Sequence, residues 1–244
     1  MKFRNVLLIL VITSLGFGLS GCFNWAARAD GKLPKETALD KKYNYEGKVI
    51  IVGAGASGLA AAKVLEENSV DYIILEATDR YGGRLKKDTT FADFPIDIGA
   101  EWLHSAPHTL NVLKGKQGEE IDEDLIPYHL ENTARWDGKE YKINPRWQNN
   151  FMYNSMPESK FKNSTWYDFV NENIAKTVKH KIQFNSPVTA IDYSGNNVIV
   201  KTKNGNLYEA DRVLVTVSIG VLKSNSITFI PEVHDEKKKA IEAI

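Results

Sequence analysis

The sequence predicts an α/β fold in which a parallel sheet carries a glycine-rich strand-to-helix turn, and three observations lead to it. Two short apolar runs, KVIIV at 48–52 and DYIILE at 71–76, are continuous rather than alternating, as strands buried on both faces are. Between them GAGASG (53–58) opens into an alanine-rich segment, with Leu59, Ala60, Ala62 and Leu65 at helical spacings over 57–68. Far along the chain, 181–217 reads as a β-meander that returns through a buried strand.

Composition allows this and narrows the partners. A chain of 244 residues, 43% apolar and 25% charged, can bury a sizeable core in one or two domains. Thirty-one basic residues balance 31 acidic ones, and no basic stripe with interleaved aromatics is present, so nucleic acid is not an expected partner.

Taken in order, the first element is a leader. Lys2 and Arg4 precede an apolar stretch, VLLILVITSLGFGL, which has signal-peptide length and falls short of the roughly 20 residues of a membrane span. Leu19-Ser20-Gly21-Cys22 follows and resembles the bacterial lipobox, in which small residues admit the signal peptidase and the cysteine is lipidated. Residues 1–21 are thus expected to be a lipoprotein signal peptide and Cys22, the only cysteine, the lipidation site. Cleavage removes Lys2 and Arg4, so the formal charge of 0 becomes −2. An exported, membrane-anchored protein on the periplasmic or cell-surface side follows as the expectation. Residues 22–47 are polar and aperiodic, the composition of a flexible tether.

The nucleotide signal lies in 48–104. In a strand–turn–helix–strand unit, the first glycine (Gly53) permits the tight turn, the second (Gly55) lets a pyrophosphate approach the backbone, and the third (Gly58) allows helix and strand to pack closely. The helix start, at Ala56 and Ser57, offers free N–H groups and a positive dipole end to phosphates. Glu76 ends the second strand 18 residues after Gly58, where a carboxylate accepts from ribose hydroxyls and repels a 2′-phosphate. This much suits NAD and FAD equally.

The following residues discriminate. Gly82-Gly83-Arg84 comes next, then Gly99-Ala100-Glu101-Trp102-Leu103-His104. Residues 181–217 add Ser186-Pro187-Val188, and 215–223 read VTVSIGVLK. With these motifs the chain resembles the flavin-containing amine oxidases, and the resemblance runs from about residue 48 to 244. It implies a Rossmann-like FAD-binding domain of the GR2 flavoprotein type, with the β-meander and a partial substrate-domain insertion at 105–180 between FAD-binding parts at 48–104 and 181–244. It further implies that Arg84 of Gly83-Arg84 binds the FAD pyrophosphate, that Gly99, Ala100, Glu101 and Trp102 pass beside the flavin, and that Val188 touches adenine through its backbone. Ser218 stands where the family usually has proline.

The insertion is less informative. It carries an acidic run from Glu119 to Asp124, read as a solvated face, and one helix expected at 164–179. His104 stands two residues after Trp102, where the polyamine branch of the family places a residue near the amine channel, so substrate contact and a purely structural imidazole both remain open. His104 and His108 have the spacing of two metal ligands on a helix, but Pro107 disfavours helix there and no third ligand is near, so no metal is expected. In the meander, strands are expected at 182–184, 188–193, 198–202 and 206–208, with turns at 194–197 and 204–205, followed by the strand at 212–217.

The resemblance implies an FAD-dependent oxidoreductase that oxidises a small-molecule amine, polyamine or monoamine, to imine and aldehyde while O₂ becomes H₂O₂. No cysteine remains for a covalent flavin once Cys22 carries lipid, so FAD is expected to be non-covalent. The chain is expected to end before the family's C-terminal half, which leaves a truncated, catalytically silent FAD-binding-like lipoprotein as one alternative; an L-amino-acid oxidase-like flavoenzyme, sharing the FAD motifs but with another substrate, is a second.

Overall fold

In β1 (Lys48–Val52) four consecutive residues, Val49 to Val52, are buried, because the strand is paired on both sides and covered on both faces. The computed structural model describes residues 45–104, 107–115, 123–127, 133–145, 147 and 158–244. The expected leader, Cys22 and most of the tether lie outside the described residues, as do residues 119–122 of the acidic run. Two compact units divide the described chain, one of residues 45–86 and 169–244, the other within Lys87–Asp168.

The first unit begins with β1, α1 (Ala56–Glu67) and β2 (Asp71–Leu75). The helix starts at Gly55, whose extended backbone makes it the N-cap, and turns Gly58, Leu59 and Ala62 inward. It stops at Asn68, whose side-chain amide donates to Val64 O at 2.8 Å. β2 then runs parallel to β1, Lys48 opposite Asp71 and Val52 opposite Leu75.

The second unit is built of small pieces. β3 (Lys87–Asp88) and β4 (Ile96–Asp97) pair antiparallel. Helix α2 (His108–Lys114) starts after Pro107 and ends at Gly115 with φ +75°. β5 (Leu125–Pro127) pairs with β8 (Ser159–Phe161), and β6 (Ala134–Trp136) with β7 (Tyr141–Ile143), all antiparallel.

α3 (Trp166–Val170) leads into the rest of the expected helix, which is present but uneven. A π-helical segment at Asn171–Ala175 precedes α4 (Lys176–Val178) and a 3₁₀ turn at Lys179–Lys181. Asn173 Nδ2 donates to Phe169 O and Thr177 Oγ1 to Ile174 O, side-chain bonds that draw on the helix's own carbonyls.

β9 (Ile182–Gln183) corrects the meander expectation: it joins the parallel sheet on the free side of β2, next to β2 and not next to a meander strand. Two features detach it from the meander. Asn185 turns the chain at φ +53°, and Pro187 has no N–H to continue a ladder. Glu76 N–H donates to Gln183 O, and the N–H groups of Asn185 and Ser186 donate to Thr78 O and Glu76 O, so this stretch is fastened to the carboxyl end of β2.

The meander itself is β10 (Val188–Asp192), β11 (Val198–Thr202) and β12 (Leu207–Ala210), with Gly205 at φ +84° in the second turn. β13 (Arg212–Val215) returns to pair with β1. Ser218 caps α5 (Ile219–Lys223) by accepting from Val221 N–H, which gives the serine at the usual proline position a role. β14 (Thr228–Ile230), absent from the sequence reading, supplies the fourth strand by lying parallel to β10, and α6 (Asp235–Ala243) follows. Ile50, Val52 and Leu75 of one sheet and Val188, Ile191, Val198 and Val200 of the other share one buried cluster. Among the described residues no helix is long and apolar enough to cross a membrane.

Candidate functional site

The three glycines of the turn differ in the ways their roles require. Gly53 has φ +103°, a conformation L side chains rarely adopt, and donates to Leu75 O at 2.9 Å. A methyl group on Gly58 would lie 2.0 Å from the Gly53 carbonyl oxygen, so the helix approaches the strand as closely as backbone permits. A methyl group on Gly55 would meet nothing within 4 Å. Open space therefore stands over Gly55, beside the helix start at Ala56 and Ser57, whose N–H groups have no carbonyl within the helix to bond. Backbone donors and a positive dipole end facing open space fit a diphosphate.

Thr216, just past β13, lies 2.9 Å through its hydroxyl from Val52 O and 3.1 Å from Gly53 O, and so fixes the turn from the neighbouring strand. Glu76 fixes it from the other side. Its Oε2 accepts from Ala54 N–H at 2.8 Å, and its Oε1 accepts from the N–H and hydroxyl of Thr78. A carboxylate offers about four acceptor positions, and these bonds fill three, which leaves one for a ribose hydroxyl. Glu76 is thus a brace of the turn as well as a ligand candidate.

The Gly-Gly-Arg element sits directly on the turn. Gly82 N–H donates to Ala54 O at 2.8 Å, Gly55 and Gly82 form a parallel bridge, and a methyl on Gly83 would lie 3.3 Å from Gly55 Cα. Gly83 also takes φ +58°. Arg84 is exposed and forms no hydrogen bond or ion pair among the described residues, which leaves its guanidinium free for an anion. Arg80, which the sequence reading did not single out, does the structural work: its guanidinium donates to Gly83 O at 2.7 Å and reaches Tyr81 O and Leu85 O. The Gly-Gly-Arg motif marks Arg84 alone; the role of Arg80 shows only in the loop carbonyls it meets. Val188, at the start of β10, is buried, and Ser186 N–H bonded to Glu76 O carries its segment to the same strand end. The first unit therefore gathers Gly53, Gly55, Gly58, Glu76, Gly83, Arg84 and Val188 at the carboxyl ends of the parallel strands, where α/β sheets bind ligands.

The second unit holds Gly99, Ala100, Glu101, Trp102 and His104. Gly99 has φ +133°, and Gly99 and Ala100 are exposed. Leu103 and Ser159 form an antiparallel bridge, 2.7 Å from Leu103 N to Ser159 O. Lys160 Nζ stands 2.9 Å from Glu101 Oε1 and 5.3 Å over the Trp102 ring, an ion pair and a cation–π contact on consecutive residues. His104 Nδ1 lies 2.5 Å from Glu158 Oε1. Neither Glu158 nor Lys160 carried a sequence signal, since each is one charged residue in a short strand region. Asp97 accepts from Trp166 N–H, and burial, with Glu101 and Asp168 nearby, raises its pKa to about 7.

Comparison with known proteins agrees with this geometry. A family model described as flavin containing amine oxidoreductase matches residues 56–165 and 167–244. The chain is 26% identical to lysine-specific histone demethylase 2 of Homo sapiens, over 84% of this chain and 34% of that protein. It is 27% identical to probable polyamine oxidase 4 of Arabidopsis thaliana over 84% of this chain and 57% of that protein, and 27% identical to polyamine oxidase 1 of Zea mays over 80% and 57%. The chain thus spans from a third to somewhat over half the length of these relatives. A solved structure of a putrescine oxidase mutant, redesigned in its cofactor binding, superposes with a TM-score of 0.59 at 15% identity, covering 81% of this chain and 63% of that one. That likeness is one of fold.

Proposed function

The chain belongs to the flavin-containing amine oxidoreductases, and from that premise we propose that it supplies the FAD-binding part of an enzyme that oxidises small-molecule amines, with O₂ as electron acceptor and H₂O₂ as product. FAD, held non-covalently, is the cofactor. The observation that carries the reading is the open space over Gly55, beside the helix start and the Gly82-Gly83 loop. When bound, FAD accepts the hydride released from the carbon next to the amine nitrogen.

The chain's own residues bind and orient. Helix N–H groups at Ala56 and Ser57 and the Arg84 guanidinium take the diphosphate, the planar fork of arginine matching two phosphate oxygens. The remaining acceptor position of Glu76 takes a ribose hydroxyl and disfavours a 2′-phosphate. Imine hydrolysis to aldehyde completes the proposed reaction. A purified chain that carries or takes up FAD, seen by its visible absorption, supports the reading. Peroxide release with spermidine, tyramine and an L-amino acid then identifies the substrate class. A colourless protein that added FAD neither colours nor stabilises overturns it for this chain.

Export and lipidation at Cys22 belong to the same proposal. They are supported by Lys2, Arg4, the apolar run and Leu19-Ser20-Gly21-Cys22, and they place the enzyme on the periplasmic or cell-surface side of a bacterial membrane.

A further inference from the structure

We propose that the β6–β7 ribbon is a docking face for an anionic membrane surface, laying Trp136, Tyr141 and Ile143 against the headgroup region. That the chain lies beside a membrane rests on the export and lipidation proposed above; that this face suits one rests on the ribbon itself.

The ribbon is two-sided. Its register sets Ala134 opposite Ile143, Arg135 opposite Lys142 and Trp136 opposite Tyr141. Opposed residues of an antiparallel pair share a face and successive residues alternate, so Ala134, Trp136, Tyr141 and Ile143 form one face, Arg135 and Lys142 the other. The apolar face is uncovered: Trp136 is 55% exposed, Tyr141 73% and Ile143 78%. Its two rings stand with centroids 5.1 Å apart, tilted against each other.

Backbone and side-chain bonds hold this face in shape at both ends. At the turn, Asp137 Oδ1 accepts from the N–H groups of Lys139 and Glu140, around Gly138 at φ +99°. At the open end, Asn144 N–H donates to Thr133 O at 2.9 Å and the Asn144 amide donates to the Thr133 hydroxyl at 3.0 Å. The face is thus ordered before anything meets it, which lowers the cost of binding.

Chemistry and charge select the occupant. Trp and Tyr join an apolar body to a polar handle and are the side chains enriched at the boundary of membrane and water. Residues 133–147 carry Arg135, Lys139, Lys142 and Arg146 against Asp137 and Glu140, a net +2 in a chain whose processed form is −2. Anionic headgroups complement that local charge. A second copy or another protein needs more surface: a stable protein interface takes roughly 20–30 residues a side, and this face offers four side chains. An anchored chain needs less, because the lipid keeps the ribbon at high effective concentration beside the bilayer. Residues 23–44 reach about 75 Å at full extension, so the anchor permits the contact without dictating which face makes it. The contact is shallow, since the two outer edges of a two-stranded ribbon hold unpaired backbone groups that hydrocarbon does not accept.

The test uses the chain as a bacterium processes it, its mass recording whether Cys22 carries lipid. The protein is placed on vesicles of phosphatidylcholine with or without phosphatidylglycerol, part of the phosphatidylcholine being brominated in its acyl chains. Bromine quenches nearby tryptophan, and the difference between the unsubstituted chain and Trp136→Phe isolates the Trp136 emission. Trp136 is expected to be quenched with phosphatidylglycerol present and less so without it. Tyr141→Ser and Ile143→Ser are each expected to shift the balance of docked and free ribbon about tenfold toward free. Leu207→Ser, which removes an exposed apolar side chain from β12, is expected to leave the quenching unchanged. An unquenched Trp136, equal quenching with and without phosphatidylglycerol, or full quenching in the Tyr141→Ser, Ile143→Ser double variant each overturns the proposal. So does an unquenched Trp136 in a chain that sediments as a dimer, which assigns the face to a second copy. Lipid on Cys22 without quenching leaves the anchor standing and refutes the docking; quenching of a chain without lipid does the reverse.

Discussion

Replacing Gly55 and Gly58 separately by alanine divides the turn's architecture from its ligand. At Gly58 the new methyl would stand 2.0 Å from Gly53 O, and ordinary contact begins near 3.4 Å, so the carbonyl must retreat by about 1.4 Å. It cannot do so freely: Gly53 N–H is bonded to Leu75 O, and the Thr216 hydroxyl holds the carbonyl at 3.1 Å. Overpacking of this kind costs about 1–3 kcal/mol and the lost hydrogen bond about 1 kcal/mol, while the better helix propensity of alanine returns about 1 kcal/mol. Gly58→Ala should therefore destabilise the fold by about 2 kcal/mol, lowering Tm by roughly 4–8 °C at this chain length.

Gly55 differs on each count. Its φ of −73° suits alanine and no atom lies within 4 Å of the added carbon. The poorer cap costs up to about 1 kcal/mol, and the lower entropy of the unfolded chain returns about 0.4–1 kcal/mol, so stability should stay within about 0.5 kcal/mol. The methyl nevertheless fills the space assigned to the diphosphate, and FAD affinity should fall at least about a hundredfold, the equivalent of about 2.7 kcal/mol. Thermal unfolding without ligand and FAD titration followed by flavin fluorescence measure the two effects. Unaltered FAD affinity in Gly55→Ala would refute the cradle, and unaltered stability in Gly58→Ala would refute the close-approach argument.

Four further outcomes are expected. Arg84→Ala should leave stability within about 0.5 kcal/mol, as for surface changes generally, but weaken FAD binding about 10–100-fold, whereas Arg80→Ala should loosen the Gly82-Gly83 loop and weaken FAD binding together with thermal stability; equal behaviour of the two arginines would contradict the division of roles. Asp97 has a folded pKa of about 7 against an unfolded value of 3.8, so the folded state holds its proton more tightly; stability from this group is complete below about pH 4 and is lost as pH rises to 7. Discounted for partial solvent exposure, the loss is on the order of 1–2 kcal/mol, and Asp97→Asn should flatten this part of the stability–pH curve. Lys160→Met should change Trp102 fluorescence and near-ultraviolet dichroism, with Lys160→Arg restoring both, because a cation over the ring rather than chain length sets its surroundings. Cys22→Ser, expressed in a bacterium, should leave an uncleaved, unlipidated precursor by mass; normal processing would remove the lipobox reading.

Much of the first unit was legible because its signals are local. Gly53, Gly55 and Gly58 are read from spacing, and the spacing works because each glycine answers one steric demand within a few residues. Glu76 was legible as a position but not as a brace, since its bonds to Ala54 and Thr78 depend on the turn's path in space. The first meander strand was misplaced for a related reason: alternation near a hairpin cannot tell antiparallel addition from a parallel seat beside β2, which backbone bonds from Glu76, Asn185 and Ser186 decide. β14 escaped notice because three residues, Thr228-Phe229-Ile230, are too few to show a period. Glu158 and Lys160 are further from legibility, because their partners lie 54 and 59 residues away in sequence.

The bond between Glu76 and Ala54 bears on engineering. Exchange of nucleotide preference in such folds ordinarily begins by replacing the carboxylate at the end of the second strand. Here that replacement would also release the Ala54 N–H from the middle of the turn, so a redesigned variant could lose its old nucleotide by collapse rather than by discrimination. Changes aimed at the ribose must therefore leave Glu76 in place, so that the turn keeps its own support.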